Sequence, residues 1–145
     1  MTADYYFAYG SNMDATQMRQ RCPDVEFVSV GTISGWRFRI NTRGVATIVP
    51  EDGSTVHGVV WRISKADEQT LDRYEGVSGG LYTKSTAEVR LGNGARLQAF
   101  LYLAQDHQAG TARPGYMEGI VAAALSNRFP SEYVEELRTW CSTGG

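Results

Sequence analysis

A short turn near the N-terminus places backbone amides and small polar side chains directly after an aromatic run. Gly10, Ser11 and Asn12 follow residues 5–8, a run typical of a buried strand. Glycine allows close approach to the backbone, while serine and asparagine bend the chain by bonding local amides. Because a helical segment follows, these amides are expected near a helix N-terminus, where they favour an anion or a developing oxyanion. An ordinary strand-to-helix connection shows the same pattern, and the short string alone leaves both interpretations open.

A second candidate is a glutamate near the end of a predicted helix. Leu71 and Glu75 fall at i and i+4, and Gly76 is a natural helix stop. This spacing puts the Glu75 carboxyl group on the same face as Leu71, beside the core. Burial raises the pKa of a carboxyl group, so an inward Glu75 is expected to exchange protons near neutrality. The alternative is a solvated helix acid like Glu68.

Six further runs are typical of strands, through period-two alternation or continuous apolar character. They span residues 25–30, 33–40, 45–49, 56–63, 82–91 and 95–103. A turn at residues 51–54 is expected to join the third and fourth runs as a hairpin, and residues 92–94 are expected to join the last two. With the first aromatic run, this predicts about six or seven mostly antiparallel strands, curled toward a barrel. The fold class is therefore predicted to be α+β, with helices packed outside the barrel.

Four segments carry helical signals. Asp14 precedes the first, and Ser64, followed by acids in the first turn, begins the helix that carries the candidate glutamate. Pro114 is expected in the first turn of a third helix, whose inner stripe includes Tyr116. A final amphipathic helix is predicted over residues 131–140.

The composition is that of an ordinary globular chain. With 145 residues, 42% hydrophobic and 21% charged, the sequence fits one domain, predicted over residues 1–141 with a flexible tail at 142–145. A formal charge of −2 provides no basic surface for nucleic acid or an anionic membrane. No apolar run approaches the length of a membrane span, so a cytoplasmic location is expected.

Metal and covalent chemistry find little support in the sequence. His57 and His107 are isolated from each other and from both cysteines, so no zinc-binding spacing occurs. Cys22 and Cys141 lack a CxxC arrangement and are expected to be free thiols. Ser11 lacks the flanking residues of a nucleophile elbow. A hydrolase that uses Ser11 or Cys22 is therefore an alternative without support.

Five short motifs lie in a fixed order along nearly the whole chain. They read FAYGSNM at residues 7–13, GVATI at 44–48, GVVW at 58–61, LDRYEGV at 71–77 with Tyr82 beyond it, and PGY at 114–116. Any one string is weak, but five in register make a chance match improbable. In order and spacing, the motifs resemble the γ-glutamylcyclotransferase family.

The resemblance implies a small β-barrel with flanking helices, a frequent homodimer, and a reaction without cofactor or metal. That reaction converts γ-glutamyl amines to 5-oxoproline and the free amine. The resemblance also implies that Glu75 is the catalytic acid/base. The implied substrate-binding residues are Tyr6, Phe7, Ala8, Tyr9, Gly10, Ser11 and Tyr116. The ending Asn12-Met13 resembles the general γ-glutamylcyclotransferases rather than the glutathione-specific branch, which disfavours glutathione as substrate.

The sequence leaves two questions open. The leaving amine is an amino acid, a lysine side chain, a polyamine or an antibiotic intermediate, and residues 105–113, expected on the leaving-amine side, show no interpretable pattern. The alternative function is a non-catalytic module of the same fold that binds a small metabolite or a partner protein. An acid on the core-side face of a helix favours catalysis, since a pure binder has no need of it.

Overall fold

The structure of the chain is a computed structural model that describes residues 3–141. Within these residues, five strands form a closed barrel and four α-helices pack against it, which confirms the predicted α+β class. The strands are β1 Ala3–Ala8, β2 Glu26–Ile40, β3 Ala46–Ser64, β4 Tyr82–Leu91 and β5 Arg96–Ala104. The helices are α1 Ala15–Arg21, α2 Lys65–Tyr74, α3 Tyr116–Ser126 and α4 Ser131–Arg138. The tail predicted at residues 142–145 lies outside the described residues.

The barrel closes in the order β1-β3-β2-β4-β5, and β5 returns to β1. Tyr6 of β1 lies opposite Phe100 of β5 in a parallel pairing, whereas the other neighbouring strands are antiparallel. Closure pairs both edges of the described sheet, so neither edge is left as a template for aggregation. The mostly antiparallel barrel predicted from the sequence is confirmed.

The barrel has fewer strands than the six or seven that the sequence pattern indicates. The runs at residues 25–30 and 33–40 are continuous in β2, and those at 45–49 and 56–63 are continuous in β3. The hairpin expected between residues 45–49 and 56–63 is wrong, because both halves of β3 pair with β2. The hairpin of β4 and β5 is confirmed.

A bulge explains why the sequence pattern indicated a hairpin turn within β3. Trp36 of β2 pairs with Pro50, and the next paired residue of β3 is Thr55, so that residues 51–54 face Gly35 alone. Gly35 has a left-handed φ angle of 84°, which glycine adopts without strain. Extra residues in one strand bend a sheet without ending it. The turn-forming residues therefore mark a bend within a long strand.

The N-cap predicted at Ser64 is confirmed, and Asp14, predicted at the start of the first helix, is the N-cap of α1. The Asp14 side chain accepts a hydrogen bond from a backbone amide in the first turn of α1 at 2.9 Å, and the Ser64 hydroxyl accepts one in α2 at 3.2 Å. The third helix starts later than expected, because Gly115, with a left-handed φ angle of 78°, separates Pro114 from Tyr116. Of the helices described in residues 3–141, none is sufficiently long and apolar to cross a lipid bilayer.

The core lies between the barrel wall and the inner faces of the helices. Leu71 on α2, Ile120 on α3 and Leu137 on α4 are fully buried, in one cluster with the barrel residues Phe38 and Trp61. Full burial of a side chain of this size stabilises a fold by about 1.5–3 kcal/mol. Because each of these helices contributes such an anchor, apolar packing fixes their positions against the barrel.

We expect Gly58→Ala to destabilise the barrel. A Cβ atom at Gly58 would lie 2.4 Å from the Ala8 carbonyl oxygen and 2.7 Å from the Phe7 ring, so backbone or a buried aromatic must move. Overpacking of this kind lowers the free energy of unfolding by about 1–3 kcal/mol, measurable by urea denaturation.

The matched control is Gly119→Ala. Gly119 lies within α3 and a Cβ atom there meets nothing within 4 Å. Its substitution should leave the free energy of unfolding unchanged or raise it by up to about 1 kcal/mol, because alanine is the better helix former. Equal losses in the two variants would contradict the close packing described at Gly58.

Candidate active site

The chain leaves β1 through a single 3₁₀ turn, Ser11–Met13. This turn is anchored to the barrel, because the indole N–H of Trp61 donates to the Asn12 carbonyl oxygen at 3.0 Å. Gly10 has a φ angle of −123°, so a left-handed conformation does not explain the glycine. A Cβ atom there would lie 3.2 Å from the side chain of Ala46, and the close approach of these two segments does explain it.

Four tyrosines, Tyr9, Tyr82, Tyr102 and Tyr116, lie at the site, and hydrogen bonds to the backbone fix the hydroxyl groups of three of them. The Tyr116 hydroxyl accepts a bond from the Ala46 amide, and the Tyr82 hydroxyl donates to the Ala46 carbonyl oxygen, both at 3.0 Å. The Tyr9 hydroxyl donates to the Tyr102 carbonyl oxygen. Burial raises the pKa of all four tyrosine hydroxyl groups, which therefore stay neutral.

Glu75 is the C-cap of α2, where its backbone N–H donates to the Leu71 carbonyl oxygen at 2.9 Å. Its side chain is half-buried, and Oε1 accepts a hydrogen bond from Asn12 Nδ2 at 3.3 Å. Burial raises the pKa of the Glu75 carboxyl group to about 7, against the opposing effect of the Arg21 guanidinium. A carboxyl group with this pKa exchanges protons at neutral pH, as a general acid or base must.

Glu75 lies where two spaces meet. The outer cavity has a volume of about 490 Å³, and the inner recess has a volume of about 50 Å³. Ser11, Glu75, Tyr82 and Tyr116 line both spaces. The recess is enclosed further by Tyr6, Tyr9, Gly10, Asn12, Ala46 and Tyr102. A substrate that fills both spaces would therefore pass directly in front of the Glu75 carboxyl group.

The outer cavity is positively charged. Its lining includes the guanidinium groups of Arg21, Arg43 and Arg113, against the two acids Asp14 and Glu75. The Asp14 carboxylate is already engaged, because it caps the first turn of α1. Guanidinium groups bind carboxylates through paired hydrogen bonds, so this cavity attracts an anionic group.

The structure brings six of the eight predicted site residues to these spaces. They are Tyr6, Tyr9, Gly10, Ser11, Glu75 and Tyr116. Phe7 and Ala8 line neither space. Phe7 is fully buried against Gly58, on the opposite face of β1 from Tyr6, and Ala8 packs in the same core.

Asn12, Tyr82 and Tyr102 line the recess without having been assigned to the site from the sequence. Asn12 and Tyr82 belong to the motifs quoted above, so the sequence contained a signal that could have identified both as site residues. Tyr102 belongs to a strand whose pattern indicates burial alone. Its hydroxyl donates to Asp72 Oδ1 at 2.6 Å, which ties β5 to the helix that carries the glutamate.

Residues 105–113, which show no pattern in the sequence, lie across the turn between β2 and β3. The Gly110 amide donates to the Ile40 carbonyl oxygen at 2.8 Å, and Arg113 Nε donates to the Arg43 carbonyl oxygen at 2.9 Å. This segment therefore brings Arg113 to the outer cavity. Its position depends on contacts with a distant part of the chain, which local sequence does not encode.

The two histidines and Cys22 lie outside the described lining of the two spaces. The described lining of the two spaces contains no histidine to activate Ser11, and His57 packs elsewhere, against Phe129 and Tyr133. Cys22 is a free thiol in the core, and burial raises its pKa to about 11, so it is protonated at neutral pH. Residues 3–141 contain no group of three His, Cys, Asp or Glu side chains placed to hold a metal ion.

Comparisons with known proteins agree on one family. The AIG2-like family model matches residues 55–137. A protein from Mus musculus named γ-glutamylcyclotransferase is 32% identical over 143 aligned residues, which cover 92% of this chain and 76% of the mouse protein. Its Homo sapiens counterpart is 30% identical with the same coverage.

Solved structures show the same similarity. A structure named γ-glutamyl cyclotransferase superposes with a TM-score of 0.90 at 28% identity, covering 99% of this chain and 92% of that one. YkqA from Bacillus subtilis superposes with a TM-score of 0.83 at 27% identity, covering 99% of this chain and 55% of that one. On these similarities and on the barrel described above, the chain belongs to the γ-glutamylcyclotransferase family of enzymes.

Proposed function

We propose that this protein converts a γ-glutamyl amine or γ-glutamyl amino acid to 5-oxoproline and the free amine, with Glu75 as the general acid/base. One observation carries the proposal: a half-buried carboxyl group with a pKa of about 7 lies between a small polar recess and a positively charged cavity. A non-catalytic module that binds a metabolite or a protein has no use for such a group. Family membership supplies the reaction type.

The reaction needs two protons to move from the α-nitrogen to the leaving nitrogen. The α-amine of the glutamyl group is protonated at neutral pH and must lose a proton before its lone pair attacks the γ-carbonyl carbon. The new C–N bond closes the five-membered ring, and the bond to the leaving nitrogen then breaks. Glu75 accepts the first proton from the α-ammonium group and delivers it to the leaving nitrogen as the C–N bond breaks. The ring nitrogen, which carries two hydrogens after attack, gives the second proton to Glu75, which passes it to the departing amine. The amine leaves as its ammonium ion, so that protons balance over the cycle.

Binding in the recess favours the folded shape that ring closure requires. The recess, with a volume of about 50 Å³, is much smaller than the outer cavity, with a volume of about 490 Å³. It therefore accepts only the reacting end of the glutamyl group. Bonded tyrosines such as Tyr9 and Tyr116 keep the walls fixed, which holds the amine near the γ-carbonyl carbon.

We assign the turn after β1 to the binding of negative charge on the substrate. Gly10 and Ser11 border the recess, and their backbone amides would bind either the α-carboxylate or the oxyanion that forms on attack. At the mouth, Arg43 and Arg113 favour a substrate that carries a carboxylate. The partner proposed is thus a small γ-glutamyl compound, while the homodimer and the cytoplasmic location stay predictions from the sequence.

Glu75→Gln should fold and lose turnover. The amide keeps the size of the side chain but cannot accept the proton, so kcat for γ-glutamyl-L-alanine should fall by about 10²- to 10⁴-fold, measured as 5-oxoproline by mass spectrometry. A panel of γ-glutamyl amines that includes γ-glutamyl-ε-lysine and glutathione identifies the amine released.

Two further variants complete this experiment. Cys22→Ala should retain activity, because its thiol lies outside both spaces, and Ser11→Ala should lose less activity than Glu75→Gln. A Glu75→Gln enzyme with unchanged turnover, or activity that disappears with Cys22, would refute the assignment of Glu75.

The same substitution should change how stability depends on pH. Below pH 4.5, Glu75 is protonated in the folded and the unfolded chain, so its burial costs nothing extra. Between pH 4.5 and about 7, the unfolded chain releases a proton that the folded chain retains, and stability falls as pH rises. Wild type should lose about 2 kcal/mol relative to Glu75→Gln between pH 4 and pH 8, allowing for partial exposure.

Urea denaturation at the two pH values measures this difference. Glu26→Gln is the matched control, because Glu26 is an exposed acid on β2. If Glu75→Gln and Glu26→Gln showed the same pH dependence, the ionised form of Glu75 would not be disfavoured by burial.

A further inference from the structure

The carboxyl group of Glu75 is held by a side chain from outside its own helix. Asn12 is almost fully buried, and its Nδ2 donates to Glu75 Oε1 at 3.3 Å and to the Tyr6 hydroxyl at 3.1 Å. The Asn12 side-chain oxygen accepts a bond from Arg21 Nη1. Because a guanidinium offers donors only, it forces the oxygen of the amide toward Arg21 and the amide N–H groups toward Glu75.

Arg21 also contacts the residue that precedes Glu75. Its Nη2 donates to the Tyr74 hydroxyl at 2.5 Å, and its guanidinium carbon lies 3.6 Å from the centre of the Tyr74 ring. Tyr74 is the last residue of α2, and Arg21 is the last residue of α1. One guanidinium therefore joins the ends of the two helices on either side of the carboxyl group.

We propose that Arg21 is a positioning residue for the catalytic acid/base: through Asn12 and Tyr74 it fixes the Glu75 carboxyl group at the inner recess and keeps a permanent positive charge beside it. This inference rests on the proposed function, because it concerns the group assigned to proton transfer. Arg21 acts through Glu75 and is not assigned a contact with the reacting atoms.

Of the groups around Glu75, Arg21 is the one whose charge affects the carboxyl group. The groups that face it from β1, the turn after β1, β4, β5 and α3 are tyrosines, which burial keeps neutral: Tyr6, Tyr9, Tyr82, Tyr102 and Tyr116. Arg43, in the turn after β2, and Arg113, in the segment before α3, lower the pKa of Tyr82, and Arg113 also lowers the pKa of Tyr116. Neither is among the causes of the pKa shift of Glu75. Among the described residues, Arg21 is the cation that lowers the pKa of Glu75 against burial.

This arrangement suits a group that must both take and return a proton. Burial alone disfavours the ionised form, whereas the Asn12 amide and the nearby guanidinium favour it. A positive charge at the end of α2 also complements the helix dipole, which by itself repels an acid there. The opposing effects leave Glu75 with a pKa near neutrality, where acid and base forms are both available.

A direct test follows the Glu75 carboxyl carbon by ¹³C NMR through a pH titration without substrate, with its resonance assigned by its absence in Glu75→Gln. In Arg21→Gln the midpoint should rise from about 7 by about one pH unit, because the opposite charge is removed. In Arg21→Lys, which keeps the charge, the midpoint should stay near the wild-type value. Arg19→Gln, an exposed arginine on the same helix, is the matched control and should leave it unchanged.

The pH profile of kcat/KM for γ-glutamyl-L-alanine should follow the titration. Its ascending limb should move to higher pH in Arg21→Gln and stay in place in Arg21→Lys, which should instead lose kcat because the paired bonds to Asn12 and Tyr74 are weakened. A purely structural role would lower activity without moving the limb. If the midpoint moves in Arg21→Gln but the wild-type protein shows no cyclotransferase activity, the proposed function alone is refuted.

An unchanged midpoint in Arg21→Gln overturns the inference, as does an equal shift in Arg21→Gln and Arg19→Gln. If Arg21→Gln does not fold, Tyr74→Ala is the variant that tests the inference. The Tyr74 side chain is 62% exposed, so its removal leaves the core intact. Tyr74→Ala releases one side of the guanidinium but keeps its charge, so, as in Arg21→Lys, kcat should fall while the midpoint stays near the wild-type value. A Tyr74→Ala enzyme with the kcat of wild type then overturns the inference.

Discussion

An ionisable carboxyl group at the half-buried end of a helix is the constraint around which this structure is arranged. The dipole of α2 and the partial removal of the carboxyl group from water both oppose a negative charge at Glu75. Apolar packing of Leu71 holds the helix in place, and the Asn12 amide meets the carboxyl group from the turn after β1. The fold therefore positions a group that would be more stable protonated or in water.

Barrel closure supplies the rigid surface behind that group. The parallel pairing of β1 with β5 places Tyr6 beside Phe100, and their rings stack with centroids 5.2 Å apart. Tyr102, two residues along β5, bonds to α2 through Asp72. The inner recess is thus lined by strands, by the ends of α2 and α3, and by the turn after β1 that Trp61 anchors. Its geometry follows from the barrel and from the elements bonded to it.

Local sequence predicted the parts of this molecule that local forces determine. The N-caps at Asp14 and Ser64, the alternation of the strands and the inward position of Glu75 depend on spacing along a few residues. The long strand β3 was divided in the prediction, because a bulge and a hairpin use the same residue types. The three arginines of the outer cavity were not predicted, since each comes from a separate segment and they meet only in the folded chain.

The two spaces rest on different kinds of backbone. The recess is formed by strands, helix ends and the anchored turn after β1. The outer cavity also takes Arg113 from residues 105–113, a segment held to the end of β2 by backbone hydrogen bonds such as that from the Gly110 amide to the Ile40 carbonyl oxygen. Changes of length or composition in that segment leave the barrel ladder untouched. Such changes can therefore alter the outer cavity and leave the recess in place. Under the proposed reaction, they would change the preference for the departing amine without altering the acid/base at Glu75.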